Sequence, residues 1–300
     1  MTDSSPVTDG APDLPDDVPG ESRFVEANGR RFHAVEAGPT RGDLVVLLHG
    51  FPEFWYAWRD LLRPLADAGH HVVALDQRGY NRSEKPSAVR DYHVDRLAAD
   101  VAGVVDAYGR EEAALVGHDW GGLVAWWVAL HSPDRVSALV AANAPHPRVF
   151  RDALTSDPVQ LLRQSYAAFF QLPALPEAAC RALNWRLLTW LLRWSSLPGT
   201  FSDRALSRYR DAWSRPAALR SMLHWYRAAA RYRPTPDADR VTVPTRVVWG
   251  GRDRVLPKRL AYESADRCDD ARLTTFDDAT HWVHHERPVD VADAVLDELE

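Results

Sequence analysis

Short apolar runs alternate along the chain with longer amphipathic stretches, a rhythm that predicts a parallel sheet wrapped by helices. Residues 31–36 and 44–48 read as strands, the second continuously apolar and ending at His49-Gly50. From 53 to 67, Phe54, Trp58, Leu61, Leu62 and Leu65 recur at helical spacing, Gly69 stops the pattern, and 71–75 reads as the next strand. The rhythm repeats with a helix over 95–108, a short buried strand at 113–117, a helix over 122–130 and a strand at 136–142. Repeated crossovers of this kind imply a mostly parallel sheet covered on both faces. From Pro147 to about Thr235 the strand pattern stops. Arg, Leu, Ala and Trp take over, including Trp185, Trp190, Trp194, Trp213 and Trp225, and the segment reads as an all-helical insertion. Strands return at 245–249 and 273–276, with helices over 258–268 and 288–299. The predicted organisation is an α/β core from 21–147 and 236–300, interrupted by a helical cap at 148–235. No internal repeat is present.

Composition narrows the function classes. The 300 residues are 46% hydrophobic and 26% charged, enough for one large core. The formal charge of −6 offers no basic excess for a phosphate backbone, so a nucleic-acid partner is not expected. Residues 1–20 hold five Asp, four Pro and no Lys or Arg, which predicts a disordered acidic tail rather than a signal peptide. Cys180 and Cys268 lie too far apart in sequence to suggest a disulfide framework or a cysteine zinc site, which fits a reducing cytoplasm. The longest apolar run, 123–130, is far short of the roughly 20 residues that span a bilayer, and no membrane partner is expected.

The chemistry gathers at Gly117-His-Asp-Trp-Gly121, which follows a buried strand and opens an apolar helix. Small residues flank a central acid where the chain must turn sharply, the context of a nucleophile elbow. Asp119 occupies the nucleophile position, and a carboxylate is already ionised at neutral pH, so it needs no base to attack an activated carbon. Asp often only caps a helix. Here the downstream partners argue for more. Asp253 and His281 each follow a C-terminal strand, in the chain order nucleophile, acid, histidine. His281, His284 and His285 also share a helical spacing that a metal could use, but no further ligand is clearly placed, and no metal is expected. His49-Gly-Phe-Pro52 ends a strand where the backbone N–H of Phe51 could join that of Trp120 as an oxyanion hole.

These segments resemble the α/β-hydrolase-fold epoxide hydrolases. The resemblance is carried by His49-Gly-Phe-Pro-Glu-Phe-Trp-Tyr-Ala-Trp-Arg59, Asp76-Gln-Arg-Gly-Tyr-Asn-Arg-Ser83, Gly117-His-Asp-Trp-Gly-Gly122 and Asn143-Ala-Pro-His-Pro147, and it spans about residues 22 to 300. It reaches the cap at Tyr166-Ala-Ala-Phe-Phe-Gln-Leu-Pro173 and Trp225-Tyr-Arg227, and implies that Tyr166 and Tyr226 are the family's paired acid donors. The implied reaction converts a small apolar epoxide and water to a vicinal diol through an aspartyl ester, in a monomer or homodimer without a cofactor. A phenol suits the donor's task, since it stays protonated at neutral pH yet can donate to an alkoxide. Two departures stand out, Thr280 where the family usually has glycine and Asn81 where glycine is frequent. Thr280 could crowd the hydrolytic water. His118, His146 and Asp76 are expected to tie loops together by hydrogen bonds. A haloalkane or haloacid dehalogenase resembles the same Asp-nucleophile fold, but the tyrosine pair and Phe51 favour the epoxide reading. A non-catalytic ligand binder would usually have lost one of Asp119, Asp253 and His281.

Overall fold

In the computed structural model, residues 7–8, 14–15 and 17–300 are described. Among the described residues nine strands form one sheet: β1 (Val7–Thr8), β2 (Glu21–Ala27), β3 (Arg30–Ala37), β4 (Leu44–Leu48), β5 (His71–Leu75), β6 (Ala113–His118), β7 (Val136–Ala142), β8 (Thr245–Gly250) and β9 (Ala271–Phe276). Their spatial order is β1-β2-β3-β5-β4-β6-β7-β8-β9. The first three strands and β5 pair antiparallel, and everything from β5 through β4 to β9 is parallel. Every residue of β4, β5, β6 and β8 is buried, as expected of strands covered on both faces.

The cover comes from α1 (Arg59–Asp67), α2 (Val94–Ala107), α3 (Trp120–His131) and the later helices of the core. Helix α3 is apolar almost all round, and its residues 124–130 are buried between the sheet and α2. The cap consists of α4 (Pro147–Ser156), α5 (Pro158–Arg163), α6 (Ser165–Phe169), α7 (Leu175–Ser195), α8 (Asp203–Trp213) and α9 (Ala218–Tyr232). The chain then returns to the core through α10 (Arg259–Ala265), α11 (Val283–Glu286) and α12 (Pro288–Leu299), and α12 packs on α1.

Two features differ from the sequence expectation. β2 was not anticipated; it forms a hairpin with β3 across Asn28-Gly29, both at positive φ (49° and 65°), the two-residue turn that Asn-Gly favours. Helix α7 is broken at 182–185, where Leu183, Asn184 and Trp185 take φ of 50°, 56° and 64°. The break seats Trp185 against Trp213, with its indole N–H donating to Ser214 Oγ at 2.9 Å. The stretch 1–20, where a disordered acidic tail is expected, lies mostly outside the described residues. Val7–Thr8 pairs with β2, Val18 is buried in the core, and Asp17 accepts from Arg204 at 2.9 Å. An apolar side chain and a carboxylate with a cationic partner hold this part of the chain down. Among the described residues no helix is long and apolar enough to cross a membrane.

Cap and core are joined by buried indoles. Trp213 donates to Pro52 O at 2.6 Å and Trp225 to Arg78 O at 3.0 Å, so two of the five cap tryptophans fasten the cap to the loops after β4 and β5. Arg215 adds a bond to Asn81 Oδ1 at 2.7 Å, and Asn81 in turn donates to Asp76 Oδ2 at 2.7 Å. Asn81 sits at φ 37°, a conformation that asparagine tolerates better than most residues, which accounts for its standing in a glycine's place.

Candidate active site

Asp119 stands between β6 and α3 with φ 50° and ψ −118°, a strained conformation that projects its side chain off the end of the sheet. Close packing permits the turn. A Cβ on Gly121 would fall 2.1 Å from Leu48 O, and one on Gly50 would fall 2.5 Å from Asp119 Cβ, so neither position admits a side chain without moving backbone or the carboxylate. The Phe51 N–H donates to Asp119 Oδ1 at 3.0 Å. Trp120 opens α3, where a first-turn N–H has no acceptor within its own helix. Of the two anticipated donors, the Phe51 N–H meets the carboxylate, and among the described residues the Trp120 N–H makes no bond to it.

The loop after β9 brings His281 to the other side of that carboxylate, with Nε2 3.7 Å from Asp119 Oδ2. Its Nδ1 faces Asp253 Oδ2 at 2.7 Å. Asp253, on the loop after β8, is fixed by Asn143 Nδ2 at 2.7 Å on the same oxygen, and by the Val255 and Leu256 N–H groups on Oδ1 at 2.7 and 2.9 Å. Burial pushes the Asp253 carboxyl up, but His281 and the Leu256 and Val255 N–H groups outweigh it and hold the group below its usual value. For His281, burial opposes the charge, yet Asp253, Asp119 and Glu53 raise the imidazole to about 9. Since the folded value exceeds the ordinary 6.5, the stability this charge contributes is complete below about pH 6.5 and is lost as pH rises through 9. Thermal melts of the wild type and His281→Gln are expected to show the wild-type advantage shrinking between about pH 6 and about pH 9.5; an advantage that grows over that range contradicts the arrangement.

Above the carboxylate the cap contributes an aromatic wall. Tyr226 on α9 lies edge-on to Trp120 (5.0 Å), Phe51 (5.2 Å) and Phe170 (5.0 Å). Tyr166 on α6 stands 5.9 Å from Tyr226, ring to ring, so the two tyrosines meet although 60 positions separate them. Burial first, and then the Asp119 charge, raises the Tyr166 hydroxyl above its ordinary value; burial, Tyr166 and Asp119 do the same for Tyr226. Both phenols therefore hold their protons over the carboxylate at neutral pH.

The sequence did not single out Glu53. Fully buried, it accepts from Tyr209 and faces His285 through Oε1 at 3.0 and 2.7 Å, and meets His118 and His284 through Oε2 at 3.0 and 3.3 Å. His118 also donates through Nε2 to the His281 carbonyl oxygen at 2.9 Å, tying this cluster to the loop of the base. Burial pushes Glu53 up, but the facing imidazoles hold it well below the carboxylate range. The three histidines that shared a helical spacing thus part company: His281 turns to Asp253, while His284 and His285 turn to Glu53, with ligand-capable atoms of Glu53, His284 and His285 within 4.8 Å of one another. Arg59 donates to His285 Nδ1 at 3.3 Å, which leaves Nε2–H to donate to Glu53, so His285 is satisfied by protein partners. Thr280 directs its hydroxyl to Glu286 Oε1 at 2.7 Å. His146 caps α4 by accepting from the Arg148 N–H at 3.2 Å, and Asp76 accepts from Trp55 N at 2.9 Å and meets His33 at 2.7 Å, so both tie loops together.

Comparison with known proteins agrees with this geometry. Residues 43–288 match the alpha/beta hydrolase fold family. The chain is 43% identical to the AB hydrolase superfamily protein YfhM of Bacillus subtilis, covering 92% of this chain and 97% of that one. It is 34% identical to Epoxide hydrolase A of Mycobacterium tuberculosis, over 92% of this chain and 96% of that one. Among solved structures, an inhibitor complex of a Bacillus megaterium epoxide hydrolase superposes with a TM-score of 0.85 at 28% identity, covering 92% of this chain and 99% of the other. With a family match over most of its length and a relative of this identity matched almost end to end, the chain belongs to the alpha/beta hydrolase fold family and, within it, to the epoxide hydrolases.

Proposed function

We propose that the protein converts an epoxide and water to a vicinal diol through a covalent ester on Asp119. The observation that carries this reading is the placement of one carboxylate between His281 on one side and the Tyr166–Tyr226 pair above it. Asp119 attacks a ring carbon, the carbon–oxygen bond of the oxirane breaks, and a tyrosine hydroxyl gives its proton to the oxygen that leaves. Esterification removes the Asp119 charge, one of the charges that hold His281 protonated in the free enzyme, so the imidazole gives up its proton to solvent more readily and becomes competent as a base. His281, oriented by Asp253, then takes a proton from water as the water attacks the ester carbonyl carbon. The Phe51 N–H, already on Oδ1, and the Trp120 N–H receive the oxyanion. Collapse breaks the bond between the carbonyl carbon and the diol oxygen; the proton on His281 passes to that departing oxygen and the proton of the new carboxyl to the tyrosinate, which releases the diol and restores carboxylate and phenol. Hydration is redox-neutral, and these groups supply nucleophile, acid, base and oxyanion donors.

A single turnover in isotopically labelled water tests the ester. The first diol is expected to leave unlabelled, because its new oxygen comes from Asp119, and label is expected in the enzyme's carboxylate. Labelled diol in the first turnover would mean direct attack by water. Styrene oxide is the first substrate to try, with halide release from a bromoalkane measured beside it; halide without diol would assign the site to dehalogenation.

A further inference from the structure

The cap carries a surface that the hydrolytic reading leaves unused. Residues 148–235 hold 14 arginines and five acidic residues, a formal +9 in a chain whose total is −6, so the rest stands at −15. On α7, Leu187, Trp190 and Trp194 share one exposed face, and the two indoles stack at 5.6 Å although 53% and 47% exposed. Large half-exposed tryptophans are uncommon on a surface that meets only water. On α5, Val159, Leu161 and Leu162 are exposed, Leu162 to 71%. The two helices flank one turn. Arg254 lies 4.8 Å over the Trp194 ring, and Gln160 of α5 donates to the carbonyl of the next residue, Val255, at 3.1 Å. Exposed Arg163, Arg181 and Arg186 belong to the same helices and the stretch around them, and among the described residues they have no acidic partner within 4.0 Å.

Exposed indoles and leucines on helices that also carry exposed arginines without an acidic partner among the described residues are the composition of a face that rests in the headgroup region of a bilayer. A second copy docking through the same patch would set two groups of arginines against each other. Anionic lipid complements them instead. We propose that the α5 and α7 face of the cap docks on a membrane surface containing anionic phospholipid, with Trp190, Trp194 and the leucines at the headgroup boundary and the arginines on the phosphates. This is attachment to a surface, which needs no spanning helix, and it revises the expectation that no membrane partner exists. Apolar small molecules partition into such a surface, so docking would bring the cap to a reservoir of substrate of that class.

Vesicles of phosphatidylcholine with and without phosphatidylglycerol decide the matter by co-sedimentation and tryptophan emission. Binding to the phosphatidylglycerol vesicles alone is expected, weakened by salt. It should fall by about fivefold in Arg186→Gln and by about tenfold or more in the Trp190→Ala/Trp194→Ala double variant. Diol formation from a freely soluble epoxide should be unchanged in the double variant, which also reports that it folds. Absence of binding, equal binding by the double variant, or a wild-type dimer that this variant converts to monomer would each overturn the proposal. None of these outcomes depends on the ester mechanism.

Discussion

His281→Gln protein incubated with styrene oxide is expected to accumulate as a species heavier by one epoxide, while steady-state turnover falls by at least about 10³-fold. The reasoning is kinetic. Alkylation needs the Asp119 carboxylate and the tyrosines, none of which the substitution touches, whereas hydrolysis needs a base at Nε2, 3.7 Å from Asp119 Oδ2. Glutamine leaves an amide near Asp253 but cannot take a proton from water. The two half-reactions separate, and the ester persists long enough for intact-mass measurement. Adding Asp119→Ala to the same protein should abolish the adduct, which locates the ester. Normal turnover in His281→Gln would remove His281 from the mechanism, and low turnover without any adduct would place its role before the ester.

Where function was legible in the chain, it was legible because the chemistry is local. The turn around Asp119 is written within five residues by glycines that the backbone cannot exchange for anything larger, and Gly121 against Leu48 O gives the physical reason. The central parallel strands were equally plain, since burial on both faces leaves continuous apolar runs. β2 escaped because its burial is partial and its polar residues blur the alternation, although Asn28-Gly29 marked the hairpin. Glu53 was invisible for a different reason. Its four partners come from 118, 209, 284 and 285, and nothing near Glu53 in sequence announces that a carboxylate will be buried among them. The break in α7 has no glycine or proline to announce it either; a tertiary contact, Trp185 on Trp213, outweighs local helical preference there. The shared helical spacing of 281, 284 and 285 is no sign of one set of ligands, because the loop between 281 and α11 divides it.

The tyrosine pair offers the complementary experiment. Tyr166→Phe/Tyr226→Phe is expected to lose about 10³-fold or more in kcat/KM for styrene oxide, with each single variant losing about 10-fold to 10²-fold, because either phenol can still donate when the other is gone. The loss must fall on ring opening. Both hydroxyls are held above their ordinary values by burial and by Asp119, so they are protonated donors at neutral pH, and phenylalanine keeps the contacts with Trp120, Phe51 and Phe170 while removing the proton. Introducing His281→Gln into the double variant therefore separates acid from base. If the tyrosines act on the oxirane, that protein should form the adduct more slowly than His281→Gln alone by the same factor that kcat/KM loses. An adduct formed at the undiminished rate would restrict the tyrosines to shaping the wall, and the proton for the opening oxygen would have to come from solvent.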